Sequence, residues 1–258
     1  TPKGVMITHL NLTETVRDLQ RGSAFDDKSI LASWLPIFHD LGLIFGLLMP
    51  VYLGRPSYFM APIAFLERPY RWLRAISKHK ATHSAAPNFA YDLCVQKVTD
   101  QEKETLDLGS LKIIGNAAEP VRFETMQMFS DAFKPCGFDF NLFAPAYGLA
   151  EATVKVSGKL CGQKISYCIL DSDALAKHKL VFLPEESPKS FISVGCGWTS
   201  IGADIRIVNP QTKELCAQDE VGEIWVQSTS VAQGYWKRPE ETKKTFQAFI
   251  APTNDGPF

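Results

Sequence analysis

Three short stretches of the chain carry residue types that could handle a polyphosphate and a planar base. Thr1-Pro2-Lys3-Gly4 sets a lysine between a proline and a glycine, just ahead of a β-branched run. A flexible ammonium there can act as a point charge on phosphate oxygens, although a solvated lysine in a surface turn fits the same four residues. Tyr147-Gly148-Leu149-Ala150-Glu151 follows Pro145, so the backbone must turn sharply. Gly148 permits close approach of a ligand, and Glu151 offers the hard carboxylate oxygen that magnesium takes. Gly115-Asn116-Ala117-Ala118-Glu119-Pro120 follows the apolar run Leu111 to Ile114, which places it at the carboxyl end of a predicted strand, where open parallel sheets bind ligands. Ala117 and Ala118 would leave a flat slot for a base with Tyr147 free to stack, and an ordinary small-residue turn before a helix satisfies the same spacing.

Other reactive side chains are less marked. His39, alone, suits a structural histidine as well as a functional one. His79 and His83 have the four-residue spacing of a helical metal pair, but Ala81-Thr82 and Ser84 read as a helix end passing into a strand, which argues against a metal there. The cysteines Cys94, Cys136, Cys161, Cys168, Cys196 and Cys216 are never two residues apart and fit neither a zinc site nor a dense disulfide framework. Reduced thiols in a cytoplasmic protein are expected. Cys94 and Cys136 have no activating base nearby in sequence and read as core.

The elements that must position these residues form an alternating pattern. From Val5 to about Asn141, short β-branched runs alternate with helical periodicity, which predicts an α/β fold, a parallel sheet layered with helices. Gly4 to Ile7 reads as a strand, and Thr8 as the cap of a helix through about Arg21. Ser29 to Leu35 reads as a strand, Leu41 to Leu53 as a buried helix, and Pro69 to His79 as an amphipathic helix begun by its proline. Pro87 breaks the chain before another helix. Pro120 opens a helix in which Phe123, Met126, Phe129 and Phe133 recur at helical spacing. After about Thr153, Gly, Ser and Pro become frequent and alternating runs such as Asp204 to Val208 and Glu223 to Gln227 dominate, so residues 154–258 read as a smaller β-rich subdomain beside the α/β part, 1–153.

Composition removes several classes of function. At 258 residues and 45% hydrophobic the chain can bury a full core. Lys and Arg total 27 against 28 Asp and Glu, so no net field holds a nucleic-acid backbone or an anionic membrane surface, and any anion is bound locally. The longest apolar run, Leu41 to Leu53, is broken by Gly42, Gly46 and Pro50 and falls short of the roughly 20 residues of a spanning helix. No nucleic-acid partner and no integral membrane segment are expected.

Read in order, Thr1 to Val5, Trp34 to Gly42, Ala86 to Leu93, Asn116 to Val121, Tyr147 to Thr153 and Gly222-Glu223-Ile224-Trp225 through Gly234-Tyr235-Trp236-Lys237-Arg238-Pro239-Glu240-Glu241-Thr242 resemble the signatures of the adenylate-forming superfamily and span nearly the whole chain. Phe65 to Leu73, the Pro87 motif and Ala150, where most relatives carry threonine, resemble the fatty acyl-AMP ligase branch. So does the spacing of about 40 residues between Glu151 and Ser193, which resembles a branch-specific insertion within about residues 160 to 190. The chain begins without a start methionine and is expected to be part of the large N-terminal domain of such a ligase. A ribose-binding aspartate, a hinge and a C-terminal domain with a second lysine are then expected beyond it.

The resemblance implies activation of a long-chain fatty acid by ATP and Mg2+ to an acyl-AMP with release of pyrophosphate, then transfer to the phosphopantetheine thiol of an acyl carrier protein or polyketide synthase carrier domain. It implies that Lys3 holds the β- and γ-phosphates, Glu151 binds magnesium, Asn116, Ala117, Ala118 and Glu119 with Tyr147, Gly148, Leu149 and Ala150 hold the nucleotide, and His39 lies near the new acyl-phosphate bond. Two anions meet in that reaction, so fixed cations and dipoles matter more than an acid/base pair. Gly42, Ile44, Asn88 and Phe89 are candidates for an apolar acyl pocket, in which each buried methylene would contribute about 0.8 kcal/mol. An acyl-CoA ligase and a non-catalytic adenylate-fold module are the competing readings; retention of both Lys3 and Glu151 argues against the second.

Overall fold

The computed structural model describes residues 3–258; Thr1 and Pro2 of the opening motif lie outside the described residues. Helix α1 (His9–Gly22) opens on a capping box, in which the Thr8 hydroxyl accepts the Asn11 N–H and the Asn11 side chain accepts the Thr8 N–H. Strand β1 (Leu31–Ser33), α2 (Met49–Leu53), β2 (Ser57–Phe59), α3 (Pro62–Glu67), α4 (Tyr70–His79), β3 (His83–Ala86), α5 (Asn88–Lys97), α6 (Asp100–Lys103), β4 (Ile113–Asn116), α7 (Phe123–Phe133) and β5 (Phe143–Tyr147) follow. After them come β6 (Ser157–Gly158), β7 (Tyr167–Asp171), α8 (Ser172–Leu175), β8 (Ser190–Val194), β9 (Trp198–Thr199), β10 (Asp204–Val208), β11 (Glu223–Gln227) and α9 (Pro239–Phe246).

The main sheet runs β2-β1-β3-β4-β5-β6-β9. Its first five strands are parallel, and β6 and β9 extend it antiparallel, so the sheet continues past Thr153. β7 with β8, and β10 with β11, form separate antiparallel pairs. One face of the main sheet carries a continuous aromatic layer: Trp34 stacks on Phe65 at 4.0 Å, Trp72 lies 5.8 Å from Tyr91, and Tyr91 meets Phe129 and Phe143 at 5.1 and 5.0 Å. Phe65, Trp72, Tyr91, Phe129 and Phe143 are fully buried, and each such side chain contributes about 1.5–3 kcal/mol of burial.

Three expected elements differ. Gly4 to Ile7 makes one antiparallel bridge, Val5 to Tyr235, rather than a strand in the sheet. Leu41–Leu48 is a widened helical turn in which the Met49 N–H donates to Ile44 O, five residues back, before α2 resumes α-geometry. Pro50 has no N–H for the Gly46 carbonyl, and that oxygen instead accepts the Ser57 hydroxyl at 3.3 Å. The helix after Pro120 begins only at Phe123, because Asn88 ties down the Pro120 carbonyl (2.8 Å) and the Arg122 N–H (3.0 Å) and holds the intervening residues as a loop.

Candidate active site

Strand periodicity divides the sheet into an aromatic face and a small-residue face. On β3, the Ser84 hydroxyl accepts the Trp72 indole N–H at 3.0 Å, whereas His83 turns toward α1, with Nε2 2.9 Å from Ser23 O. On β4, Ile114 joins the aromatic core while Ile113 and Gly115 line a cavity; on β5, Phe143 joins the core while Ala144 and Ala146 line the cavity. The result is a cavity of about 360 Å³. Ala85, Gly115, Ala144, Ala146 and Gly158 lie along it, with Leu19, Gly22 and Ser23 from the end of α1.

At the carboxyl ends of the strands the cavity is bordered by Ala117, Ala118, Tyr147, Gly148, Leu149 and Ala150, so the two small-residue motifs singled out in the sequence share one rim. Ala118 holds a left-handed backbone, φ 72°, a strained state for alanine that occurs where the surrounding contacts impose it. Those contacts come from behind: buried Asn116 donates to Asn88 Oδ1 at 3.0 Å, and Glu119 accepts the Phe89 N–H at 3.0 Å. Asn116 and Glu119 therefore brace the rim and do not line it. Gly148 is fixed by space, because a Cβ there would sit 1.7 Å from Val154 O.

None of Gly42, Ile44, Asn88 and Phe89 lines the cavity. Gly42 presses on the Pro36 carbonyl, where a Cβ would come within 2.1 Å, Ile44 is buried, Asn88 is committed to the rim loop, and the Phe89 ring lies edge-on to Trp34 at 5.9 Å. Leu41 and Phe45, from the same widened turn, line it instead. His39 borders it too: its Nδ1 lies 2.7 Å from Asp40 Oδ1, and that oxygen also accepts the Leu41 N–H at 2.6 Å.

Lys3 and Glu151 meet through a residue the sequence motifs contain but to which no role was attached. Buried Tyr235 donates its hydroxyl to Glu151 Oε1, and the Lys3 ammonium stands 4.5 Å over the Tyr235 ring. Burial, reinforced by the Glu151 carboxylate, raises the phenol above its ordinary range, so it stays a donor. Lys3 also pairs with Glu241 at 3.4 Å. Glu151 lines a second cavity of about 920 Å³, which shares Tyr147 and Leu149 with the first. Among the described residues no cluster of three or more His, Cys, Asp or Glu could hold a metal by itself. One carboxylate suits a magnesium ion that takes its remaining ligands from phosphate and water.

The other reactive groups serve packing. His83 places Nδ1 2.7 Å from Thr82 Oγ1, and burial pushes its imidazole down to about 4. Burial raises the Cys94 thiol and, less strongly, those of Cys136 and Cys196, which keeps all three protonated.

A model of the AMP-binding enzyme family matches residues 1–236. JamA of Moorena producens, a medium-chain-fatty-acid–[acyl-carrier-protein] ligase, is 46% identical over 260 residues, which cover 100% of this chain and 44% of JamA. TtuA of Teredinibacter turnerae, a ligase of the same description, is 40% identical, with 98% of this chain and 39% of TtuA covered. The crystal structure of a fatty acyl-adenylate ligase from L. pneumophila in complex with acyl adenylate and pyrophosphate matches with a TM-score of 0.93 and 43% identity, over 100% of this chain and 44% of that one. The chain thus spans less than half the length of these relatives. Among the described residues no helix is long and apolar enough to cross a membrane.

Proposed function

The chain belongs to the AMP-binding enzyme family, and from that membership we propose that the full-length protein is a fatty acyl-AMP ligase acting in the cytoplasm. It would join a fatty acid to the α-phosphate of ATP, release pyrophosphate, and pass the acyl group to the phosphopantetheine thiol of an acyl carrier protein or a polyketide synthase carrier domain. The observation that carries this reading is the small-residue cavity, which opens between Ala117-Ala118 and Tyr147 to Ala150 and adjoins Glu151. In it the adenine lies at the rim between Ala118 and Tyr147, and the acyl chain runs down the sheet over Gly115, Ala144 and Ala146. Asn116 and Glu119 hold the rim from behind.

Lys3 neutralises the β- and γ-phosphates, and Glu151 would hold a magnesium ion, which would supply charge neutralisation where carboxylate and α-phosphate approach. His39, at the cavity border, stands near the acyl-phosphate bond. Residues 1–153 supply most of this site, Val154, Lys155, Gly158 and Lys159 complete the cavity wall, and Tyr235 reaches Glu151 from the β-rich part, 154–258, which carries the insertion near 160 to 190. The relatives JamA and TtuA, ligases acting on medium-chain fatty acids and acyl carrier protein, support both the substrate class and the acceptor.

The test is acid-dependent exchange of pyrophosphate into ATP by the full-length protein, followed by acyl transfer to holo carrier protein and, separately, to coenzyme A. Exchange with transfer to the carrier is expected. Efficient acyl-CoA synthesis would replace the reading with that of an acyl-CoA ligase, and no exchange with any fatty acid would remove it.

A further inference from the structure

Two lysines line the small-residue cavity, and they are satisfied differently. Lys155 donates to Asp18 Oδ2 at 2.7 Å, and the same carboxylate accepts Ser200 Oγ at 2.8 Å and the Ile201 N–H at 3.0 Å, so the Lys155 charge is neutralised by a fully engaged carboxylate. Lys159 is only 6% exposed, and its ammonium has one hydrogen bond among the described residues, to the Asn141 carbonyl at 2.7 Å. An ammonium has three N–H donors, and leaving charged donors unmatched in a buried site is costly. Burial lowers Lys159 below the ordinary lysine range; Cys161 and Asp139 lie within electrostatic reach, yet neither forms an ion pair with it among the described residues.

The position of Lys159 matters as much as its chemistry. The rim residues Tyr147 to Ala150 follow the carboxyl end of β5, whereas Asn141 precedes its amino end. Lys159, just past β6, donates its own N–H to Pro145 O at 2.9 Å and reaches back along β5 to Asn141. The four steps from Phe143 to Tyr147 cover about 13 Å of strand. Ile113, at the amino end of β4, lines the cavity at the same level. Between rim and lysine the lining includes Gly115, Ala144, Ala146 and Gly158, which offer no side-chain hydrogen bonds.

The geometry points to a substrate whose acyl chain carries a hydrogen-bond-accepting oxygen at its far end, held by Lys159 at the end of the cavity away from the rim. This rests on reading the cavity as the acyl site. A chain ending in methyl would bring the lysine donors no acceptor, while a terminal hydroxyl or carboxylate supplies one.

The experiment uses the full-length protein and matched acids across a range of chain lengths: unsubstituted, ω-hydroxy and α,ω-dicarboxylic. Acid-dependent pyrophosphate exchange is read as kcat/KM. At the length that spans the cavity, one oxygenated acid should exceed its unsubstituted partner by about tenfold, and Lys159→Met should collapse that ratio while Lys159→Arg retains part of it. Preference for the dicarboxylic acid identifies an anionic terminus, and preference for the hydroxy acid a neutral one. If the wild-type protein activates unsubstituted acids as well as or better than every oxygenated partner, the proposal is overturned and the ligase reading stands. Absence of exchange with any acid overturns the ligase reading itself.

Discussion

Glu151 has one side-chain partner among the described residues, the Tyr235 hydroxyl, and Lys3 reaches it only across the Tyr235 ring. Tyr235→Phe keeps the ring beneath Lys3 and removes the donor to the carboxylate. In the full-length protein it should therefore lower kcat of adenylation about tenfold and raise the magnesium requirement, while Glu151→Gln and Lys3→Ala should cost more. Melting temperatures that fall in step with activity would reduce Tyr235 to a packing residue. His83 gives a separate prediction. Its folded value is pushed from 6.5 to about 4, so as pH falls through 6.5 the unfolded chain takes up a proton that the folded chain refuses. Stability should therefore drop by up to about 3 kcal/mol between those two values. Below that window, Asp18 takes over: burial alone would raise it, but Lys155, the Ile201 N–H and the Ser200 hydroxyl together outweigh burial and lower it, and that stability is lost as the carboxylate protonates. Denaturant titrations across the window would check the slope; a flat profile above about pH 4 contradicts it.

At the scale of the element, the loop from Tyr147 to Val154 is set by one absent methyl group. A Cβ on Gly148 would meet Val154 O at 1.7 Å and Val154 C at 2.7 Å, both backbone atoms that cannot swing aside. Gly148→Ala should destabilise by about 3 kcal/mol or more and abolish any nucleotide-induced rise in melting temperature; a near-normal melt would show that the loop has room to move. This glycine was legible in the sequence because a turn after Pro145 demanded it. The β10 and β11 boundaries, Asp204–Val208 and Glu223–Gln227, were legible because alternation alone sets a half-exposed antiparallel pair. Gly4 to Ile7 was not, since its partner is a loop at residues 233–236 more than 200 positions away, and nothing local encodes the pairing. The small-residue floor was readable in part: Phe143-Ala144-Pro145-Ala146 alternates large and small on one strand. The unmatched Lys159 was not, because the carbonyl of Asn141 becomes its partner only once β6 has folded back along β5.

Across the whole molecule, the segment expected to be an insertion spans two layers. The β7–β8 pair sits against α7 through Tyr167, whose ring lies 4.6 Å from Phe123, and it is closed at its base by the Gly195 N–H on Ser166 O at 2.8 Å. Its other end reaches the turn before β11: Leu180 N–H donates to Asp219 O at 2.8 Å, Val221 N–H to His178 O at 3.0 Å, and Lys179 pairs with Glu220 at 2.9 Å. It thus ties the parallel sheet's helical layer to the β10–β11 sheet, on which the Phe258 ring lies 6.3 Å from Trp225. If, as the proposed ligase reading requires, a C-terminal domain of the full-length protein reorients to admit the thiol, a strut fixing the β10–β11 sheet would bias that motion without touching the adenylate cavity. A bias of a few kcal/mol suppresses one half-reaction by orders of magnitude. A deletion of residues 165–188, inside the expected insertion, would remove β7 and strand β8 without its partner. Replacing residues 167–193 by a short flexible linker between Ser166 and Val194 removes the pair as a unit and leaves its closed base as the junction. In the full-length protein this replacement should retain acid-dependent pyrophosphate exchange and gain acyl-CoA formation, with a smaller gain from Lys179→Met, which removes the ion pairs to Asp219 and Glu220 and should be less sensitive to added salt than the native strut. Retained exchange with no gain in acyl-CoA would show that the segment fixes the subdomains for stability alone, and that acceptor choice is made elsewhere.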